Sequence, residues 1–338
     1  MARHPRIDAE CLFLIVGCST LTFFLPNTAG AQESLPIPSI DSVFVDVDQQ
    51  GSPGCVLGIV KDGTLVYFRG YGLADLDSEV PIGAETVFAV GSLTKQFTAA
   101  AVLKASLQGH LSLDDDIRTW LPEFPEYERP ITVRHLVHHS SGIRDVVQLM
   151  AVGDLPADMN VEQILALLAR QRALNFLPGE SILYSNGGYA LLALIVERAT
   201  GLTIDGYLQR EFFGPLDMAH TQYGEREERV QSRATGYRID EDQVHPVLRK
   251  DGVPGILTDS HDMARWISAL ESDQMGQPGF RDAMLQRGVL NSGDSTHYAF
   301  GLDRMVYRGV PVYRHGGAGG GFRAGMAVYP EDDLAMFA

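Results

Sequence analysis

The sequence predicts an α+β fold, an α/β sandwich in which an antiparallel sheet is flanked by helices and carries an inserted, mostly helical lobe. Three observations lead there. A strong antiparallel hairpin signal lies near the start, at 55–71; strand-like runs return only near the end, at 298–306, 310–315 and 325–329; the stretch between is helical and punctuated by prolines. The sheet lobe is therefore expected from both chain ends, at about 38–110 and 262–338, with the helical lobe at about 111–261.

Residues 40–47 follow a proline-containing entry and are expected as a short first helix. Cys55–Lys61 and Thr64–Tyr71 are rich in β-formers and flank Asp62-Gly63, a pair that tolerates the positive φ of a two-residue hairpin turn. Residues 92–108 read as a helix, with Phe97, Ala101, Val102 and Ala105 spaced to bury one face and Gly109 as its stop. Pro122, Pro125, Pro130, Pro156 and Pro178 then separate helical stretches such as 161–170 and 188–199. A helix at 262–270 precedes the closing strands. The sequence has no repeat of fixed period.

The chain has 338 residues, 45% of them hydrophobic and 21% charged, which suits one large core or two unequal lobes and excludes disorder, collagen and coiled coil. Its net charge of −16 excludes a basic, phosphate-seeking protein, so no nucleic-acid partner is expected. Arg3, His4 and Arg6 precede an apolar stretch at 11–25, and Ala29-Gly30-Ala31 offers a small-x-small cleavage site. A signal peptide at 1–31 and a periplasmic or secreted product are expected. Ile15-Val16-Gly17-Cys18 offers a second route, lipoprotein acylation at Cys18, and a retained N-terminal anchor is a third. Once Cys11 and Cys18 leave with the signal, only Cys55 remains, in an apolar run where burial is the expected role.

Three short segments can carry chemistry. In Gly91-Ser92-Leu93-Thr94-Lys95 a serine opens a helix and a lysine follows three residues later, on the same face. A serine hydroxyl needs a base to become a nucleophile, and a lysine amine serves only where burial or nearby cations favour its neutral form. The helix start also offers a backbone N–H to a developing oxyanion. Alone, the same residues make an ordinary N-cap. Tyr184-Ser185-Asn186 stands at the head of another helix, where a phenol can move protons and an amide can hold an amine and a carbonyl; alone, it too reads as a cap. His315-Gly316-Gly317-Ala318 closes a strand whose glycines admit close backbone approach, or forms a flexible loop.

In this order and at these separations the three segments resemble the penicillin-recognising serine hydrolase family, which has a β-lactamase/transpeptidase-like fold. The family includes class C-type β-lactamases, D-alanyl-D-alanine carboxypeptidases, esterases and D-aminopeptidases. Residues 131–142 and 255–266 are similar to further family segments. The resemblance implies an acyl-enzyme on Ser92, activated by Lys95, with Tyr184 carrying the proton to the leaving group and Asn186 orienting Lys95 and the substrate. It places His315 and Gly317 in the cleft wall and makes the N–H groups of Ser92 and Ala318 the oxyanion hole. The resemblance implies a small-molecule or peptide substrate as the partner and no cofactor. The alternative is a penicillin-binding or cell-wall sensor protein that acylates without efficient turnover.

Two departures stand out. Well-known β-lactamases and carboxypeptidases carry lysine where this chain has His315, and a histidine is mostly neutral at pH 7 unless a neighbour raises its pKa. That favours an esterase or amidase over strong β-lactam turnover. His315 can still hydrogen-bond Tyr184, and Arg323 is a candidate for the missing cation. The sequence also stops inside an expected strand, so a truncated C-terminal strand and helix are expected.

Rival readings are weaker. His135, His138 and His139 could share a helix face but lack the glutamate of a helical zinc hydrolase motif, so no metal site is expected. The glycine cluster at 316–321 lacks Gly-x-Gly-x-x-Gly spacing and a following helix. Gly-x-Ser-x-Gly is absent from the sequence.

Overall fold

Asp62 and Gly63 take φ values of 50° and 72°, the consecutive positive pair that a tight right-twisted hairpin requires. They join β1 (Cys55–Lys61) to β2 (Thr64–Tyr71), with Cys55 opposite Tyr71, Lys61 opposite Thr64 and a bulge between Ile59 and Val60. The sheet is completed by β3 (Asp303–Tyr307), β4 (Val310–Gly319), β5 (Phe322–Tyr329) and β6 (Leu334–Phe337). Its order is β3-β4-β5-β6-β1-β2, antiparallel throughout. These coordinates are a computed structural model that describes residues 35–49, 51–156, 158–224, 232–240, 243–247 and 255–338. The signal pattern at 1–31, with Cys11 and Cys18, lies outside the described residues.

β6 therefore lies between β5 and β1, and Gly58 sits opposite Phe337. A Cβ on Gly58 would overlap the Phe337 ring, so glycine here makes room for the aromatic side chain.

Helices cover this sheet. α1 (Ile37–Ser42) starts three residues before the expected position because Pro38 falls in its first turn, where a fixed φ favours helix initiation. α2 (Thr94–Leu107) was expected to bury one face, yet eleven of its fourteen residues are buried. It is enclosed by other elements: Phe97 stacks on Trp266 at 4.0 Å and meets Phe213 edge-on at 5.9 Å, while Ala99, Ala100 and Ala101 are fully buried. The Trp266 indole donates to Gln96 Oε1 at 2.7 Å, which satisfies two polar groups inside the core. Removing the Phe97 ring would cost about 3–5 kcal/mol.

The segment between β2 and β3 contributes α3 (Val133–Val137), α4 (Val146–Gly153), α5 (Val161–Leu168), α6 (Asn186–Thr200) and α7 (Ser260–Glu271), besides two further five-residue α-helices and short strands in three small sheets. α7 carries Trp266 and packs against β1 and β2, and its Ser268 hydroxyl donates to the Gly63 carbonyl at 2.7 Å. α6 begins two residues before the expected 188 because Ser185 caps it, accepting from Gly188 N at 3.1 Å; it ends at Gly201 in the left-handed region. The strand expected at 298–306 joins the sheet only from Asp303. Residues 298–302 turn instead, with Ala299 N donating to Leu302 O at 2.8 Å, and this carries Tyr298 into the core.

Candidate active site

Gly91–Leu93 forms one 3-10 turn leading into α2, so Ser92 stands at the head of that helix and Lys95 in its first turn. The end of β4 lies directly against this turn. Gly91 has a φ of 54°, and a Cβ there would come within 2.6 Å of Ala318 N; a Cβ on Gly317 would overlap the Val90 carbonyl oxygen. Only glycine at both positions allows the main chain of Ala318 to reach the serine turn.

Lys95 is 5% exposed, and its Nζ lies 3.1 Å from Ser92 Oγ and 2.8 Å from Asn186 Oδ1. The Tyr184 and Tyr189 rings flank the same nitrogen, with centroids 4.6 and 5.6 Å away. Burial pushes the ammonium down to about 7, with the Asp145 carboxylate opposing the shift. Lys95 can thus be neutral near physiological pH, as a base for Ser92 must be.

α6 supplies the second group. Its first residue, Asn186, accepts from Lys95 and donates Nδ2 to Asp145 Oδ1 at 3.1 Å, while Asn186 N donates to the same oxygen at 2.7 Å. Just before it, Tyr184 lines the cleft. Burial raises its phenol above the ordinary range, and a hydrogen bond with Ser92 pulls the other way, so the phenol is protonated at neutral pH. His139 supports this loop: its carbonyl accepts from Leu183 N at 2.9 Å, its Nδ1 from Ser185 N at 3.1 Å, and its ring lies 4.4 Å from that of Tyr184.

His315 departs from the expected arrangement. It is 7% exposed, and its ring nitrogens are engaged inside the protein, Nε2 with the Tyr298 hydroxyl at 3.0 Å and Nδ1 with the Gly316 carbonyl at 2.6 Å. An acceptor carbonyl at Nδ1 places the proton there, so Nε2 accepts from Tyr298. The bond to Tyr184 that the sequence allows is not formed; the two rings are 6.2 Å apart, and the turn at 298–302 puts Tyr298 there instead. Burial lowers the imidazole to about 4, which makes His315 a neutral support behind the cleft wall. Gly317 likewise serves by close approach.

The cleft encloses about 1360 Å³ and is lined by Ser92, Lys95, Tyr184, Asn186 and Ala318, with apolar Val147, Met150 and Leu155 from α4 and its C-terminal turn. Among the described lining residues the cations are Lys95 and Arg233, beside Asp154 and Asp158. Arg323, the candidate for the missing cation, is not among them. It is exposed, donates to the Phe322 carbonyl at 2.9 Å and borders a different cavity.

The three neighbouring histidines do not share a helix face, because α3 ends at Val137 and His139 takes a φ of 56°. His135 Nδ1 accepts from Thr132 N in a capping box, and His138 meets Phe300 edge-on at 5.1 Å. A different group, His220, Asp259 and Asp262, brings potential ligand atoms within 4.8 Å of one another. Its atoms are already hydrogen-bonded within the group and to its neighbours: His220 Nδ1 pairs with Asp259 at 2.6 Å, and Asp262 accepts from His220 N, Thr221 and Arg265. Cys55 is a half-buried thiol whose pKa burial pushes up to about 12, far from a nucleophile's.

Asp145, His139 and Tyr298 were not singled out from sequence as part of this site. Asp145 carried a local signal, an aspartate three residues before Gln148, which marks a helix start and says nothing of a contact with residue 186.

A sheet made from both chain ends, with a serine, a lysine and a tyrosine gathered at a helix head, defines the class of β-lactamase-fold proteins. The Beta-lactamase family profile matches residues 40–338, and the chain belongs to that family. It is 29% identical over 285 residues to penicillin-binding protein 4* of Bacillus subtilis, spanning 78% of this chain and 62% of that one. It is 30% identical over 279 residues to a D-aminopeptidase of Brucella anthropi, spanning 80% of this chain and 52% of that one. The chain thus covers little more than half the length of these curated relatives. Among solved structures it resembles the octameric penicillin-binding protein homologue from Pyrococcus abyssi, with a TM-score of 0.74 and 27% identity, covering 84% of this chain and 68% of that one. The hydrolase EstCE1 shares the fold, with a TM-score of 0.69 and 21% identity over 84% of this chain and 87% of that one.

Proposed function

We propose that the protein is a serine hydrolase that acylates Ser92 with an amide or ester substrate and releases the acyl group to water. The observation that carries this reading is Lys95, whose Nζ reaches both Ser92 Oγ and Asn186 Oδ1 while burial holds its pKa near 7. Neutral Lys95 takes the Ser92 proton as Oγ attacks the carbonyl, and the N–H groups of Ser92 and Ala318 stabilise the oxyanion. The raised pKa of Tyr184 supports its acting as an acid: it protonates the leaving group and regains a proton from Lys95. Water then repeats the steps in reverse roles and frees the serine.

The neutral, internally bonded His315 supports substrates that do not need a fixed cation at that wall, such as neutral esters or amides. Similarity to a D-aminopeptidase is consistent with an amide. Similarity to penicillin-binding proteins favours a second reading, a penicillin-binding protein that acylates and turns over slowly. We place either activity outside the cytoplasm on the signal pattern at 1–31.

Brief exposure of the protein to p-nitrophenyl acetate, a fluorescent penicillin and D-amino-acid peptides, followed by intact-mass analysis, tests these readings. Ester or peptide turnover that disappears in Ser92→Ala supports the hydrolase. A stable penicillin adduct without turnover supports the second reading, and equal rates in wild type and Ser92→Ala overturn both.

A further inference from the structure

We propose that Asp145 is a positioning residue for this site: by holding the Asn186 side-chain amide in one orientation, it keeps Lys95 aimed at Ser92. The inference rests on the Ser92–Lys95 reading above and extends it to a residue that touches no substrate.

Asp145 is 7% exposed, and both of its carboxylate oxygens are used. Oδ2 accepts from Gln148 N at 3.3 Å, capping α4; Oδ1 accepts from Asn186 N at 2.7 Å and from Asn186 Nδ2 at 3.1 Å. A side-chain amide has a donor end and an acceptor end, whereas a carboxylate only accepts. With Nδ2 committed to Asp145, Oδ1 must face Lys95 Nζ, where it lies at 2.8 Å. Turning the amide over would set a donor against Lys95 and an acceptor against the carboxylate. Two mismatches in a buried site exclude that state.

The consequence reaches the chemistry. Neutral Lys95 has two N–H bonds and one lone pair; anchoring an N–H on Asn186 Oδ1 constrains where the lone pair can point, and Ser92 Oγ is the other polar neighbour at 3.1 Å. Capping α4 does not itself call for a charge, since serine or asparagine caps as well as aspartate. The two bonds to Asn186 do call for a carboxylate. The titratable groups around Lys95 are Ser92, Tyr184, Tyr189, His139, His315 and Asp145; Asp145 is the one whose charge raises the Lys95 pKa.

Asp145→Asn is nearly isosteric but cannot satisfy all three donors: its amide nitrogen must face either Gln148 N or Asn186. The test is p-nitrophenyl acetate turnover across pH in wild type, Ser92→Ala, Asp145→Asn, Asn186→Ala and the Asp145→Asn/Asn186→Ala double variant, with thermal melting of each. Should Asp145→Asn not fold, Asp145→Ser, which keeps the helix cap, replaces it. In Asp145→Asn, kcat is expected to fall about 10- to 100-fold with KM within about 3-fold. The acid limb of kcat/KM moves to lower pH, because Lys95 loses the charge that raised its pKa. The kcat loss shrinks in the Asn186→Ala background, since one residue acts through the other. An unchanged kcat, an unmoved acid limb or multiplying effects would overturn the proposal while a dead Ser92→Ala leaves the hydrolase reading standing. Activity surviving in Ser92→Ala overturns that reading and this one with it.

Discussion

Gly317 and Val90 meet main chain to main chain, leaving no room for a Cβ between them. Gly317→Ala must therefore push the end of β4 away from the Ser92 turn, costing about 1–3 kcal/mol and shifting Ala318 off its position. Thermal melting and ester turnover should both fall. Gly325→Ala is the control: a Cβ there meets nothing within 4 Å, so its melting temperature should stay near wild type. Equal behaviour of the two variants would contradict the close approach.

Lys95 opposes stability where it serves chemistry. Its pKa drops from 10.5 in the unfolded chain to about 7 in the fold, so the unfolded chain binds the extra proton between those values and stability rises with pH across that window. Lys95→Met should abolish turnover and yet stabilise the protein, by on the order of 2 kcal/mol at pH 7, with the gain fading towards pH 10. Urea denaturation of both proteins at pH 7, 8.5 and 10 checks this. A gain independent of pH would mean the ammonium is not desolvated as described.

Acid should weaken the fold before its carboxylates titrate. Burial lowers His135, lowers His138 and His315 to about 4, and holds His139 well below 6.5. As pH falls through 6.5 the unfolded chain protonates while these rings stay neutral, a loss of about 1.4 kcal/mol per pH unit for each fully lagging ring. Among the shifted histidines His220 alone acts oppositely, its pKa raised by Asp259, and the carboxyls of Glu197, Asp262, Glu271 and Asp303, raised by burial, oppose the trend as pH nears their range. Stability measured at pH 7, 6 and 5 should decline steadily; a flat profile would show that the histidines are not neutral and buried.

Tyr298→Phe removes the donor to His315 Nε2 and leaves that nitrogen unpaired in the core. The expected cost is about 1–3 kcal/mol. It should be smaller in a His315→Phe background, where no acceptor remains; full additivity of the two would argue against the pair.

How much of this could be read from the chain depends on how local each cause is. The Asp62-Gly63 turn and the same-face spacing of Ser92 and Lys95 follow from neighbouring residues, and both are legible in the sequence. Tyr184 and Asn186 are legible as the head of a helix, although the cap is Ser185. What could not be read was set by distant partners. Asp145 looks like any helix cap until Asn186 folds onto it. The cleft-wall place of His315 came from the family resemblance and not from its neighbours; the turn at 298–302, invisible to a period-two pattern, brings Tyr298 beside it. α2 was read as amphipathic from four apolar positions, and only the packing of Trp266 and α6 explains why its other faces are buried as well.

The pairing of β6 with β1 has a consequence for how the molecule is made. Gly58 and Phe337 are far apart in the sequence, so the central strands of the sheet cannot unite until the ribosome has made the chain as far as β6. Such remote pairings carry a large loop-closure cost and slow assembly. Until β6 arrives, the flank of β1 offers unsatisfied amides and carbonyls to any other nascent chain, which makes this interval one of exposure to wrong pairing.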